Sequence, residues 1–321
     1  MNQKELFDWF EKQGLAPLMD DREQHIVNLG NYRDAHPDGY LRLGEATHLR
    51  ELAVTCDGFA DAHLAKIKGL RFLNEVDLPI CKVTGHGLSV LPTLPRISRF
   101  SFPMWHEADE GLAYIGQCTT LKSLHLQGAF GISDAGLPSL SHLTHLEILD
   151  LSYTSVGAGV SIVEQFPELR KLLLILTKVG PGQLRHIIKL DKLKDLWLPD
   201  CFSEEDLLSV ARLKRLETLC IGGRTGTRGL VALHSLPVLE TLYIPRLMMT
   251  DDAFESLAGF PNLDIIYLSK HNCTPEQHEW LDARVSARIH VFDDGSGEDQ
   301  RERQYRYSDW LKLQKQQAGS M

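Results

Sequence analysis

The feature that most constrains this chain is a period. The pattern L-x-x-L-x-L, with other large apolar residues allowed at its three fixed positions, begins at Leu49, Leu73, Ile97, Leu121, Leu146, Leu169, Leu193, Leu216, Leu239 and Leu263. The intervals are 24, 24, 24, 25, 23, 24, 23, 23 and 24 residues. A unit this short cannot bury its own apolar side, so it is stable only when stacked on copies of itself. That excludes a single mixed globular core and predicts an array. The leucine content follows from the same cause, since 46 of the 52 leucines lie between Leu41 and Leu281.

Each unit has two halves with different periods. In Leu121-Lys122-Ser123-Leu124-His125-Leu126 the apolar alternation is that of a strand with one buried face. A hydroxyl residue follows, as Thr84, Ser133, Ser203 or Thr250, placed to cap free amides at a helix start. Leu137 and Leu140, three apart, then supply an apolar stripe that can face the strand. Thr274-Pro275-Glu276-Gln277 is the clearest start signal, with Thr as cap, Pro at the first helical position and Gln at the third.

On these residues the chain resembles leucine-rich repeat proteins, over about residues 45 to 292. The variety it is most similar to is the 24-residue cysteine- or threonine-containing one, and the regular units with small caps resemble bacterial members. The turn position that such repeats fill with Cys, Thr or Asn holds Cys81, Thr154, Thr177 and Cys201, while Asp57, Ala129, Arg224, Leu247 and His271 depart from it. The resemblance implies an α/β solenoid of about 10 to 11 repeats, with a parallel concave sheet and a helical convex side. A last strand is expected at Arg288–Phe292, because Ile289 and Val291 fall 23 residues after Ile266 and Leu268.

The ends lie outside the repeat. Residues 1–45 carry the amphipathic Leu6-Phe7-Trp9-Phe10 and a loop-like Asn31 to Gly39, and read as an N-terminal helical cap before a solenoid of 46–292. Residues 293–321 run from Asp293-Asp294-Gly295 into Tyr305, Tyr307, Trp310 and Leu311, and read as a C-terminal cap or tail. No apolar stretch approaches the length of a membrane span, and charges interrupt the first twenty residues as they would not in a signal peptide. The six cysteines are far apart and form no C-x-x-C pair, so a cytoplasmic protein with reduced thiols is expected. A net charge of -9 disfavours generic nucleic-acid binding.

Functional information should lie between the leucines. The residue between the second and third apolar positions points away from the core, and repeat by repeat it is Ala53, Asp77, Ser101, His125, Asp150, Leu173, Trp197, Cys220, Tyr243 and Tyr267, followed by His290. Trp and Tyr dominate binding hot spots, and at a strand spacing of about 4.8 Å Trp197 to Tyr267 would cover roughly 15 Å. The expected partner-binding residues are therefore Trp197, Tyr243, Tyr267, Leu173, Asp150, His125 and His290, rimmed by Asp195, Asp200, Arg246 and Lys270. The same aromatics could instead pack on one another or under a returning terminal segment. Glu75, Asp77 and Asp150 would suit a basic protein partner.

Chemistry-bearing motifs are weak by comparison. Gly222–Gly229 is glycine-rich but lacks a phosphate-loop lysine, and reads as a repeat loop. His271, Cys273 and His278 have no fourth metal ligand nearby, and His142 and His145 fall in a connection between repeats. Cys220 reads as a small filler between aromatics. No hydrolase, metalloprotease or dinucleotide fingerprint is present. The sequence thus predicts a non-enzymatic protein-recognition module without cofactor or metal, such as an immunity protein against a toxin, or an effector or adaptor. A substrate-receptor subunit of a ubiquitin ligase is the alternative, and would need a helical box within residues 1–45.

Overall fold

The computed structural model describes residues 3–20, 25–31, 35–103, 109–199, 203–224, 227–245, 247–248, 251–269 and 274–292. They form one open sheet of 13 strands in which every strand neighbours the next in sequence, together with a two-stranded pair, Gly223–Arg224 and Leu247–Met248. Only the first pairing of the large sheet, Leu15–Met19 with Ile26–Asn31, is antiparallel. From Ile26–Asn31 onward all strands run parallel, each one repeat beyond the last. The fold is an α/β leucine-rich repeat solenoid.

Its register is the register of the sequence. Leu124 pairs with Leu149, Leu149 with Leu172, Leu172 with Leu196 and Leu196 with Leu219, so the second leucine of each unit forms a continuous buried row. The strand Arg288–Phe292 joins at the expected spacing, Ile266 beside Ile289. Behind this row lie short helices and 3-10 turns, from Asp61–Leu64 to Pro275–Asp282, whose buried apolar residues all belong to one core with the strand leucines. Full burial of a Leu side chain is worth about 1.5–3 kcal/mol, and each repeat contributes several.

Polar ties join one repeat to the next on the helical side. Asp61 accepts both the amide and the hydroxyl of Thr84, each at 2.7 Å, and Asp109 does the same for Ser133 at 2.8 and 2.7 Å. Asp134 accepts the amide of Gly157 at 2.6 Å. The acidic residue of one unit therefore satisfies the free donors at the start of the next unit's helical segment. Two later starts are closed within their own unit by capping boxes, Ser203 with Asp206 and Thr274 with Gln277. In the turns, the Thr154 and Thr177 hydroxyls donate to the carbonyls of Leu151 and Leu174 at 2.6 and 2.8 Å, which accounts for threonine there. Cys201 and His271 of that position, and the cap residue Thr250, lie outside the described residues.

The described part of residues 3–31 holds a helix and a paired hairpin, where the sequence suggests a helix followed by a loop. Helix Gln3–Lys12 buries Leu6 and Phe10, and the hairpin after it extends the sheet by two strands. Leu29 pairs with Leu52 and is fully buried, so the second hairpin strand serves as an additional first unit of the ladder.

Candidate functional site

The strands place the expected column in one row. Asp77, Ser101, His125, Asp150, Leu173, Trp197, Cys220, Tyr243, Tyr267 and His290 are successive register partners on the concave face. The row is as expected, and its exposure is not. Leu173 is 1%, Trp197 5%, Cys220 2% and Tyr243 6% exposed, and together they form a second apolar cluster separate from the main core. Asp150 is buried too, His125 and Tyr267 are half-buried, and His290 is exposed. Strand alternation fixes the side of the sheet on which a residue lies; it does not fix how crowded that side is.

The crowding has a defined geometry. Trp197 and Tyr243 stand two strands apart, yet their rings are 4.8 Å apart, because Cys220 between them is small enough for the rings to meet above it. Tyr243 stacks on Tyr267 at 4.3 Å and nearly parallel, and Tyr267 on His290 at 5.1 Å. A continuous ring stack thus crosses from Asp195–Trp197 to Arg288–Phe292. Stacked offset rings add about 0.5–1.5 kcal/mol per pair beyond the area they bury.

Charged side chains position the inner end of this stack. The Trp197 Nε1–H donates to Asp195 Oδ1 at 2.6 Å, and Asp195 Oδ2 pairs with Lys171 Nζ at 2.5 Å. Lys171 and Asp195 belong to the column just before the buried leucines, of which the sequence reading named only Glu75 and, as a rim residue, Asp195; the strand alternation gives that column the same side. Asp150 Oδ1 accepts the Ser152 amide at 2.9 Å. Burial pushes the Asp150 carboxyl above its ordinary range, while the Ser152 hydrogen bonds and the Lys171 charge pull it down. His125 Nε2 lies 2.8 Å from the Ser123 hydroxyl. Toward the N-terminal end the face carries Glu51, bonded to the Asn28 side chain, and Glu75, paired with Arg99 at 3.3 Å, beside Asp77.

The remaining candidates are dispersed. Asp200, Arg246, Lys270, His271 and Cys273 lie outside the described residues, as do Thr225 and Gly226 of the glycine-rich loop. His142 and His145 are exposed in a connection between repeats. Among the described residues no group of three or more His, Cys, Asp or Glu side chains is arranged to hold a metal ion, and no helix is long and apolar enough to cross a membrane.

No family profile and no curated protein sequence matches the chain. Solved structures do. Internalin C2 from Listeria monocytogenes str. 4b F2365 is 18% identical, covering 76% of this chain and 80% of that one with a TM-score of 0.37. An internalin (inlF) from the same strain is 15% identical, covering 82% and 94% with a TM-score of 0.41.

Proposed function

We propose that this chain is a non-enzymatic recognition module that docks a protein on the concave face of its later repeats, with Trp197, Tyr243, Tyr267 and His290 as the centre of the contact. The observation that carries the reading is the ring stack, built from residues that the core on the opposite face does not use. Leu173, Asp150 and His125 continue the same row toward the acidic N-terminal strands. Glu51, Glu75 and Asp77 there favour a basic partner through long-range attraction. Such chemistry suits an acidic immunity protein for a basic toxin, or an adaptor. The ties from Asp61 to Thr84 and from Asp109 to Ser133 support the cysteine- or threonine-containing repeat variety. Wide cysteine spacing supports a reducing, cytoplasmic setting. The described residues among 3–31 hold one helix and a hairpin that extends the sheet, which supports a cap there over the helical box of a ligase receptor.

The test is recovery of a partner from a lysate of the source cells by the wild type and by Trp197→Ala/Tyr243→Ala, both shown to be folded by circular dichroism. Loss of one specific protein from the variant's eluate is the expected result. Equal recovery by a folded variant overturns the reading.

A further inference from the structure

The rim of the sheet at the N-terminal ends of its first strands carries a second surface. The residue directly before the first apolar position of each unit is His25, His48, Phe72 and Arg96 in succession. Their side chains form a ladder across the repeats. The His25 and His48 rings are 3.7 Å apart, His48 stacks on Phe72 at 5.4 Å, and the Arg96 guanidinium lies 5.2 Å from the centre of the Phe72 ring. Phe72 nevertheless remains 39% exposed. A large ring held open to solvent between a histidine and an arginine has apolar area to offer.

Cations surround the ladder. Arg50, Lys66, Lys68, Arg71 and Arg96 are all exposed, and among the described residues none of the five has an ion-pair partner. Arg50 acts on the ladder itself: burial, the His25 ring and the Arg50 charge hold the His48 imidazole below its ordinary range, against the pull of Asp20. Acidic side chains of the same units are engaged elsewhere, Glu45 with Arg42, Glu51 with Asn28 and Glu75 with Arg99. Further along the same rim, cations are neutralised from neighbouring repeats. Lys122 and Arg170 both pair with Glu147, Lys189 with Glu164, Lys192 with Glu168 and Lys194 with Glu217. The rim thus neutralises these charges in the middle repeats and stays positive in the first ones, on a chain whose net charge is -9.

We propose that this rim docks a short acidic segment of a partner polypeptide, with carboxylates on Arg50, Lys68, Arg71 and Arg96 and an apolar side chain on the Phe72 ring. Charge complementarity gives the chemistry, and size gives the class. Three strand steps of about 4.8 Å make the ladder roughly 14 Å long, the span of about four extended residues. A nucleic-acid duplex or an anionic membrane extends well past that length, and would meet Asp20 at one end and Glu147 at the other. The rim is separate from the concave face, and the inference does not rest on docking there.

Fluorescence anisotropy of the full chain with a labelled peptide of glutamate and aspartate around one leucine tests the proposal. Unlabelled peptide, oligothymidylate of equal charge and phosphatidylserine vesicles serve as competitors. Saturable binding that weakens as salt is raised is expected, with the peptide the strongest competitor. Arg71→Glu/Arg96→Glu should weaken binding about tenfold or more, and Phe72→Ala about fivefold. Arg212→Glu/Arg215→Glu changes the net charge equally at exposed cations of the same rim that have no ring ladder, and should stay within about twofold of the wild type. Circular dichroism confirms that each variant is folded. Absence of saturable peptide binding, unchanged binding in either ladder variant, or an equal loss in the Arg212/Arg215 control overturns the proposal. Stronger competition by oligothymidylate or by vesicles overturns it as well, since the anion recognised would then be a phosphate and not a carboxylate.

Discussion

At the scale of the residue, Asp150 shows how one side chain reports its surroundings. It lies on the column that strand alternation turns away from the main core, yet it is buried, and burial raises its pKa against the pull of Ser152 and Lys171. A raised folded value means that the native chain holds the proton more tightly than the unfolded chain. Stability therefore increases as pH falls through the folded value, and the gain is complete below the unfolded value of about 4. Asp150→Asn removes this titration and keeps an oxygen to accept the Ser152 amide. Urea unfolding should find the variant at least as stable as the wild type at pH 7, with the difference closing below about pH 4. A difference that does not change with pH would show that the carboxylate charge carries no penalty there. The position of Asp150 on the sheet was legible in the sequence, because it depends only on strand period. Its burial was not, because that depends on how closely side chains of neighbouring strands crowd that face. The same holds for Trp197 and Tyr243, whose contact also requires a small residue at Cys220, on the strand between them.

At the scale of the element, the Asp-x-Gly-Leu stretch found at residues 109–112 and again at 134–137 has a mechanical meaning. Asp109 ties Ser133, and Gly136 lies so close to the Asp109 side chain that a Cβ there would overlap both its Cβ and its carboxylate. Glycine is needed for close approach between consecutive units, not for an unusual backbone angle, since Gly136 has φ -82°. Gly136→Ala must push the two segments apart or break the tie, at a cost of about 1–3 kcal/mol as for other overpacked sites. The fall in urea midpoint measures it, with Gly30→Ala, where nothing lies within 4 Å, as the control. An equal midpoint for Gly136→Ala and the wild type would remove the packing role. Repeat spacing made ten strands and the strand at Arg288 legible. It also held an earlier unit: Ile26 and Leu29 keep the first two apolar positions, 23 residues before Leu49 and Leu52. That unit escaped notice because its third position is Asn31, and because the hairpin partner Leu15–Met19 pairs antiparallel, outside the repeat pattern.

At the scale of the whole molecule, stability is carried by neighbours. Apart from the hairpin at its start and the edge strand Arg288–Phe292, each strand of the large sheet pairs with the units one repeat before and after it, and the polar ties also link adjacent repeats. Such an array unfolds as coupled neighbours and not as one distributed core. The position of a defect should then matter as much as its size. Leu149→Ala and Ile266→Ala each remove a fully buried side chain from the same row and should cost about 2–5 kcal/mol locally. Ile266 lies on the last strand but one, so its loss should let the final two strands, Ile265–Ser269 and Arg288–Phe292, open while the central strands stay closed. Leu149 has long flanks on both sides, and its loss should weaken the coupling between them. Hydrogen exchange followed by mass spectrometry separates the two cases. For Ile266→Ala, faster exchange should be confined to the last two strands and the helix Pro275–Asp282 between them. For Leu149→Ala it should appear on both sides of Ile148–Asp150. Uniform acceleration along the whole chain in Ile266→Ala would instead make the solenoid a single cooperative unit. In that event a partner bound at the ring stack would stabilise the acidic N-terminal strands as much as the strands it touches.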